Sequence, residues 1–153
     1  MVLSKAERNI FVCQKYIETT NAKGTEVESF LTQFLLVNIC GEFEKDIKEM
    51  LFDRADKCGD PDVASYIKNS FDGRSIKLGD IKGTILKKFN DKHGKTFDEK
   101  LKLGDAEVCY NNIIENRDSS AHGRSVNMSF DELIASYYPA KRVMTAMFEV
   151  LNL

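Results

Sequence analysis

Arg117 and His122 stand five positions apart in the stretch ENRDSSAHGRS, residues 115–125. Arginine presents a planar fork of fixed charge suited to a phosphate. Histidine is the side chain that exchanges protons near neutral pH. Together they supply what metal-free RNA cleavage requires. The 2′-hydroxyl must lose a proton, the leaving 5′-oxygen must gain one, and the phosphorane must be neutralised. At about 100° per residue, Asp118 and His122 share a helix face. Arg117 lies one position round, and its long stem can reach the same space.

The same residues also have a plain structural account. Arginine and histidine near a helix C-terminus complement the negative end of the dipole, and Gly123 supplies a left-handed cap. On pattern alone, capping suffices to explain all three.

The elements that would position these groups are helices. Four sequence pairs fit the capping box: Ser4 with Glu7, Thr25 with Glu28, Thr96 with Glu99, and Ser129 with Glu132. In each, the hydroxyl accepts from the N–H three residues on and the glutamate reaches back. Asp60 before Pro61 is a further start. Ala6, Ile10, Cys13 and Ile17 form a stripe at helical spacing, as do Leu36, Cys40, Phe43, Ile47 and Met50. Residues 25–58 hold no proline and one glycine, Gly41, so they read as one long helix. A shorter helix is expected over 61–71. Residues 72–80 read as a loop with Gly73 and Gly79 as breakers. A basic helix follows over 80–90, then a turn at DKHGK and a brief helix over 97–103. Asp105 caps the helix that carries the motif. The segment 130–153 is expected to be helical but broken near Tyr138 and Pro139, because proline restricts the residue before it. No stretch alternates with period two. The expected architecture is an all-α antiparallel bundle with one long early helix, in a single domain spanning 1–153.

Net charge is -2, which excludes a global pull toward nucleic acid. The distribution is uneven. Residues 42–62 are mostly acidic, whereas 74–95 are mostly basic. The four cysteines form no C-x-x-C pair and only two histidines exist, so a structural zinc site is not expected. The opening MVLSKAERNI has no apolar core followed by small residues, and the longest apolar run, FLLV, is far too short for a bilayer. Reduced thiols in the cytoplasm, with no membrane association, are the expectation.

The sequence NRDSSAH resembles the R-x4-6-H motif of the HEPN superfamily, in which the residue after the arginine is often Asn, His or Asp; here it is Asp118. The stretch NICGEFEKDIKEML resembles the long early helix of that family, which often carries an acid within an apolar stripe. Either Glu42 or Glu44 fits that acid, and Glu44 is the one carried over. The motif falls late in the chain and before the last helix, as in the family, and YYPAKRV is similar to prokaryotic HEPN nuclease-like sequences. The resemblance covers the whole chain, with R-x4-H as its diagnostic part. It implies an all-α bundle and a metal-independent endoribonuclease needing no cofactor. It further implies a two-fold homodimer in which two motifs face one cleft, and a role as a toxin or antiphage effector. On that view Arg117 holds the scissile phosphate of an RNA substrate. His122 acts as base or acid at the 2′-hydroxyl, and the partner subunit's His122 takes the complementary role. Asp118 orients an arginine or histidine across the interface, and Ser119 and Ser120 bond phosphate oxygens. The products are a 2′,3′-cyclic phosphate and a 5′-hydroxyl.

Other features carry less. Lys82, Lys87 and Lys88 could guide an RNA backbone, though a solvated lysine-rich helix explains them as well. Phe89 and Phe97 fit core positions rather than a stacking platform. His93 reads as part of a turn. DKCGDPD lacks the spacing of a calcium loop, and GDIKGT lacks the end of a P-loop. Met144, Met147, Phe148 and Leu151 read as core or a dimer seam. Two further readings stand beside the nuclease. One is a non-catalytic HEPN module acting through a partner such as a nucleotidyltransferase-like antitoxin. The other is a purely structural dimerisation domain.

Overall fold

The computed structural model describes residues 4–71 and 76–153. Gly73 and Arg74, assigned above to a loop and to the basic stretch, lie outside the described residues. Helix α1 (Lys5–Thr20) begins at a complete capping box. Ser4 accepts from Glu7 N–H, and Glu7 accepts from Ser4 N–H. Helix α2 (Glu26–Asp56) is the long helix expected. The capping box expected at Thr25 and Glu28 does not form. Thr25 Oγ1 donates to Ala22 O at 2.6 Å, while Glu28 accepts from Gly24 N–H at 2.7 Å. Helix α3 (Pro61–Ser70) is capped by Asp60, which accepts from Asp62 and Val63 N–H.

The basic segment is not a regular helix. It runs as α4 (Leu78–Asp80), a π turn (Ile81–Leu86) and α5 (Lys87–Phe89). The wider π turn lets Ile81, Ile85 and Leu86 all reach the core. Helix α6 (Asp91–Leu101) corrects the sequence reading. DKHGK is helical, because Asn90 accepts from Lys92 N–H and so starts the helix before Thr96 can. Thr96 instead donates back to Lys92 O within the helix. Gly94 is no breaker. It is buried, at a point where a Cβ would already meet Lys82 O at 3.4 Å.

Helix α7 (Ala106–Ala121) carries the motif and α8 (Phe130–Leu151) closes the fold. Asp105 precedes α7 without making a side-chain cap. Ser129 and Glu132 form a complete box at the start of α8. The break expected at Pro139 does not occur, and α8 runs through it. Tyr137, Ala140, Val143, Met144 and Met147 press both halves of the helix onto one core. Ala135, whose carbonyl loses its helical donor at Pro139, is exposed to water.

Among the described residues there are helices and no strands, so the protein is all-α. Leu35, Leu36, Ile39, Cys40, Phe43 and Ile47 make α2 the spine of the core. The consecutive pairs α1–α2 and α7–α8 run antiparallel. Asn9 meets Asn38 between α1 and α2, and Asn116 meets the backbone of Asn127 before α8. The non-consecutive helices α2 and α8 run in the same direction, as the pairs Glu42–Tyr137 and Lys57–Asn152 require. Met144, Met147 and Leu151 are core, whereas Phe148 is exposed. No helix among the described residues is long and apolar enough to cross a membrane.

Glu42 ties three helices together. Its carboxylate accepts from Ser4 Oγ at 2.9 Å, from Ala6 N–H at 2.9 Å and from Tyr137 OH at 3.0 Å. Glu42→Ala is expected to lower the unfolding free energy by about 2–4 kcal/mol, read by urea denaturation. A loss below about 1 kcal/mol would show that the knot contributes little.

Candidate functional site at the end of the seventh helix

The end of α7 has a complete backbone explanation. Gly123 is left-handed at φ 66°. Its N–H donates to Ser120 O at 3.1 Å, and Arg124 N–H donates to Ser119 O at 2.8 Å. This is a Schellman closure, so the capping account holds for Gly123. It does not hold for Arg117, which lies before the last turn and whose charge is engaged elsewhere.

Arg117 leaves α7 on the side turned to α2. Its Nη2 donates to Glu44 Oε1 at 3.0 Å and its Nη1 to Asp118 Oδ1 at 3.2 Å. Glu44, not Glu42, is therefore the acid beside the motif arginine. All three side chains are about one-third exposed, at 34–36 %. An ion pair this open to water contributes about 1 kcal/mol or less, so a phosphate can displace a carboxylate at small cost.

His122 is the C-cap residue just past the end of α7 and is exposed. Among the described residues its imidazole has no hydrogen-bond partner. At about 100° per residue it lies about 140° round α7 from Arg117. The convergence of arginine, acid and histidine expected within one chain is thus only partly realised. Asp118 joins Arg117, but no contact joins Arg117 to His122. The reason is that the Arg117 stem follows the attraction of Glu44 toward α2. Ser119 and Ser120 are half-buried on α7, and their hydroxyls have no hydrogen-bond partner among the described residues.

Two cations missed by the sequence reading stand here. Lys77 Nζ lies 3.9 Å from Asp118 Oδ2. It is held there indirectly. Tyr110 stacks on Phe43 at 5.3 Å and donates to Ile76 O at 2.6 Å, fixing the backbone next to Lys77. Lys77 and Arg124 line one cleft of about 520 Å³ together with Asn111, Glu115, Asp118 and Ser119. Arg124 was visible in the quoted stretch, two residues past His122. Lys77 was visible only as one of several lysines in the basic run. The lysines singled out from that run sit elsewhere. Lys82 pairs with Asp98, Lys87 is exposed, and Lys88 lines a separate cleft with Tyr66 and Phe71. Among the described residues no group of three or more His, Cys, Asp or Glu gathers as metal ligands would.

A helical bundle with an R-x4-H signature at the end of its penultimate helix, the arginine facing an acid on the long helix, has the make-up of a HEPN domain. The RiboL-PSP-HEPN family profile matches residues 2–153, and the chain belongs to that family. Comparison with curated proteins and with solved structures finds no match.

Cys40 lies fully buried under the Arg117 cluster. Burial pushes its thiol up to about 12, against the pull of the Arg117 charge, so it is no nucleophile. Burial also raises Cys13 and Cys109. In the native protein a maleimide is expected to label exposed Cys58 first, Cys109 slowly, and Cys13 and Cys40 only after denaturation. Mass spectrometry of timed samples checks this, and early labelling of Cys40 would contradict the packing described.

Proposed function

We propose that this protein is a metal-independent endoribonuclease acting on single-stranded RNA in the cytoplasm, of the kind deployed as a toxin or in antiphage defence. What carries the reading is Arg117. Its guanidinium is held by two part-exposed carboxylates, one of which, Asp118, also lines the cleft of Lys77 and Arg124, and an unpartnered imidazole stands at the same helix end.

In the proposed reaction a phosphodiester displaces one carboxylate from Arg117. Lys77 and Arg124 draw in the flanking phosphates. Ser119 and Ser120 hydroxyls donate to phosphate oxygens. Imidazole Nε2 or Nδ1 of His122 takes the 2′-hydroxyl proton, the 2′-oxygen attacks phosphorus, and the 5′-oxygen leaves as the bond to phosphorus breaks, taking a proton from the protonated imidazole of the partner subunit's His122. The products are a 2′,3′-cyclic phosphate and a 5′-hydroxyl. Arg117 and His122 leave α7 on different sides, so a two-fold homodimer is the natural way to bring one of each to the same phosphate. The exposed apolar stripe Val27, Phe30, Phe34 and Val37 on the outer face of α2 offers surface for such an association. Lys87 and Lys88 would serve, at most, an RNA tail running past the cleft.

A second reading is favoured by the saturation of Arg117 by Glu44 and Asp118. On that reading the protein is a non-catalytic HEPN module, acting through an antitoxin or another defence-system partner that fits the same face.

Incubation of the purified protein with RNA in EDTA separates the two. Cleavage is expected, ending in 2′,3′-cyclic phosphates. Arg117→Ala and His122→Ala are each expected to reduce it by about 10²-fold or more with unchanged circular dichroism. Metal-dependent cleavage, or undiminished cleavage by His122→Ala, would contradict the nuclease reading.

A further inference from the structure

Glu115 and Ser119 form a ridge along α7 with a cleft on either side. On one side lies the cleft of Lys77 and Arg124, whose two cations share it with the carboxylates of Glu115 and Asp118. On the other lies a cleft of about 380 Å³ whose lining includes Asn112, Asn116, Asn127, Glu132 and Ser136. This second cleft holds no cation. It carries two carboxylates and three side-chain amides, so it repels phosphate and suits a neutral polar ligand.

Its shape is set from within. Asn116 Oδ1 accepts from Asn127 N–H at 2.8 Å, and Asn116 Nδ2 donates to Asn112 O at 2.9 Å. That amide bonds through both its oxygen and its nitrogen and pins the segment after α7 against the helix. Glu132 accepts from Ser129 N–H at 2.7 Å, and that bond holds its carboxyl below the usual range, so it stays ionised. The carboxylate of Glu115 and the side-chain amides of Asn112 and Asn127 have no hydrogen-bond partner among the described residues. They form a free set of one double acceptor and two donor–acceptor amides around one hollow.

We propose that this cleft reads a nucleobase, guanine, in the RNA whose backbone lies across the ridge; the proposal rests on the RNA reading of the site. Guanine is the one base whose Watson–Crick edge shows two adjacent donors, N1–H and the N2 amino group. Both can meet the Glu115 carboxylate at once, while O6 and N7 accept from the amides of Asn112 and Asn127. Adenine and cytosine each set a ring-nitrogen acceptor beside their amino group, facing the carboxylate unfavourably. Uracil flanks its single N–H with two carbonyls. The ridge is shared by the two clefts, so the base and a neighbouring phosphate sit on either side of one row of side chains. His122 continues that row: Glu115, Ser119 and His122 fall within about 60° of one another around α7.

The test uses the full chain carrying His122→Ala, so that RNA stays intact. Four single-stranded uridine-rich pentanucleotides, differing only in the central base, are titrated by fluorescence anisotropy. The guanine oligonucleotide is expected to bind about tenfold tighter than the other three. Adding Glu115→Gln should erase that preference. Adding Lys77→Ala should weaken all four alike and keep their ratio, an outcome that loss of folding would not give. Equal binding of all four bases, no binding of any, or a preference that survives Glu115→Gln overturns the proposal. The two readings fail separately. Wild-type cleavage in EDTA without base preference removes the guanine site and leaves the nuclease. Guanine-selective binding without cleavage keeps the guanine site and removes the nuclease.

Discussion

Arg117 bridges α2 and α7, and the candidate site depends on that bridge. Its guanidinium links Glu44 on one helix to Asp118 on the other, just where the apolar contact of Phe43 with Tyr110 gives way to solvent. Below this level the crossing is dry and close-packed. Above it, the end of α7 borders clefts lined by polar groups. A cation at such a boundary is neither a core residue nor a free surface charge. Its partners are exposed enough to be exchanged, and the two helices it joins are held together by the Phe43–Tyr110 contact beneath.

The chain's charge asymmetry takes on a more specific meaning in three dimensions. Much of the basic run is answered locally or faces away, as Lys82 is by Asp98. Among the described residues of that run, Lys77 is the one that reaches the motif, because Tyr110 ties the preceding carbonyl to α7. Past the helix-ending glycine, Arg124 comes to the same cleft. Two cations thus come to one cleft of a molecule that is slightly acidic overall, through backbone anchoring rather than bulk composition.

What the sequence revealed follows from how local each cause is. Ser4, Asp60 and Ser129 cap helices through atoms within three residues, and their starts were legible. So was the long helix, from its uninterrupted spacing. Asn90 outcompeting Thr96 was not legible, since both are competent caps and the choice depends on Gly94 packing at Lys82. Helix α8 passing through Pro139 depends on core contacts that outweigh one missing bond. The motif itself was legible because R-x4-H lies within two helical turns. The choice between Glu42 and Glu44 was not. Residues two apart on a helix point nearly opposite ways, so the answer lies in which neighbour each meets. Glu42 meets Ser4 and Tyr137; Glu44 meets Arg117. The amide cleft beyond the ridge was invisible for the same reason, being assembled from α7, the segment after it and α8.

The central claim is that Arg117 can exchange a carboxylate for an RNA phosphate that His122 also reaches. Nuclear magnetic resonance of wild-type protein, titrated with an RNA whose 2′-hydroxyls are replaced by hydrogen, addresses it directly. The account predicts that the Arg117 Nε–H and the His122 ring signals shift together, saturating at one common concentration. Saturable binding that moves lysine signals while both of these stay still would contradict it.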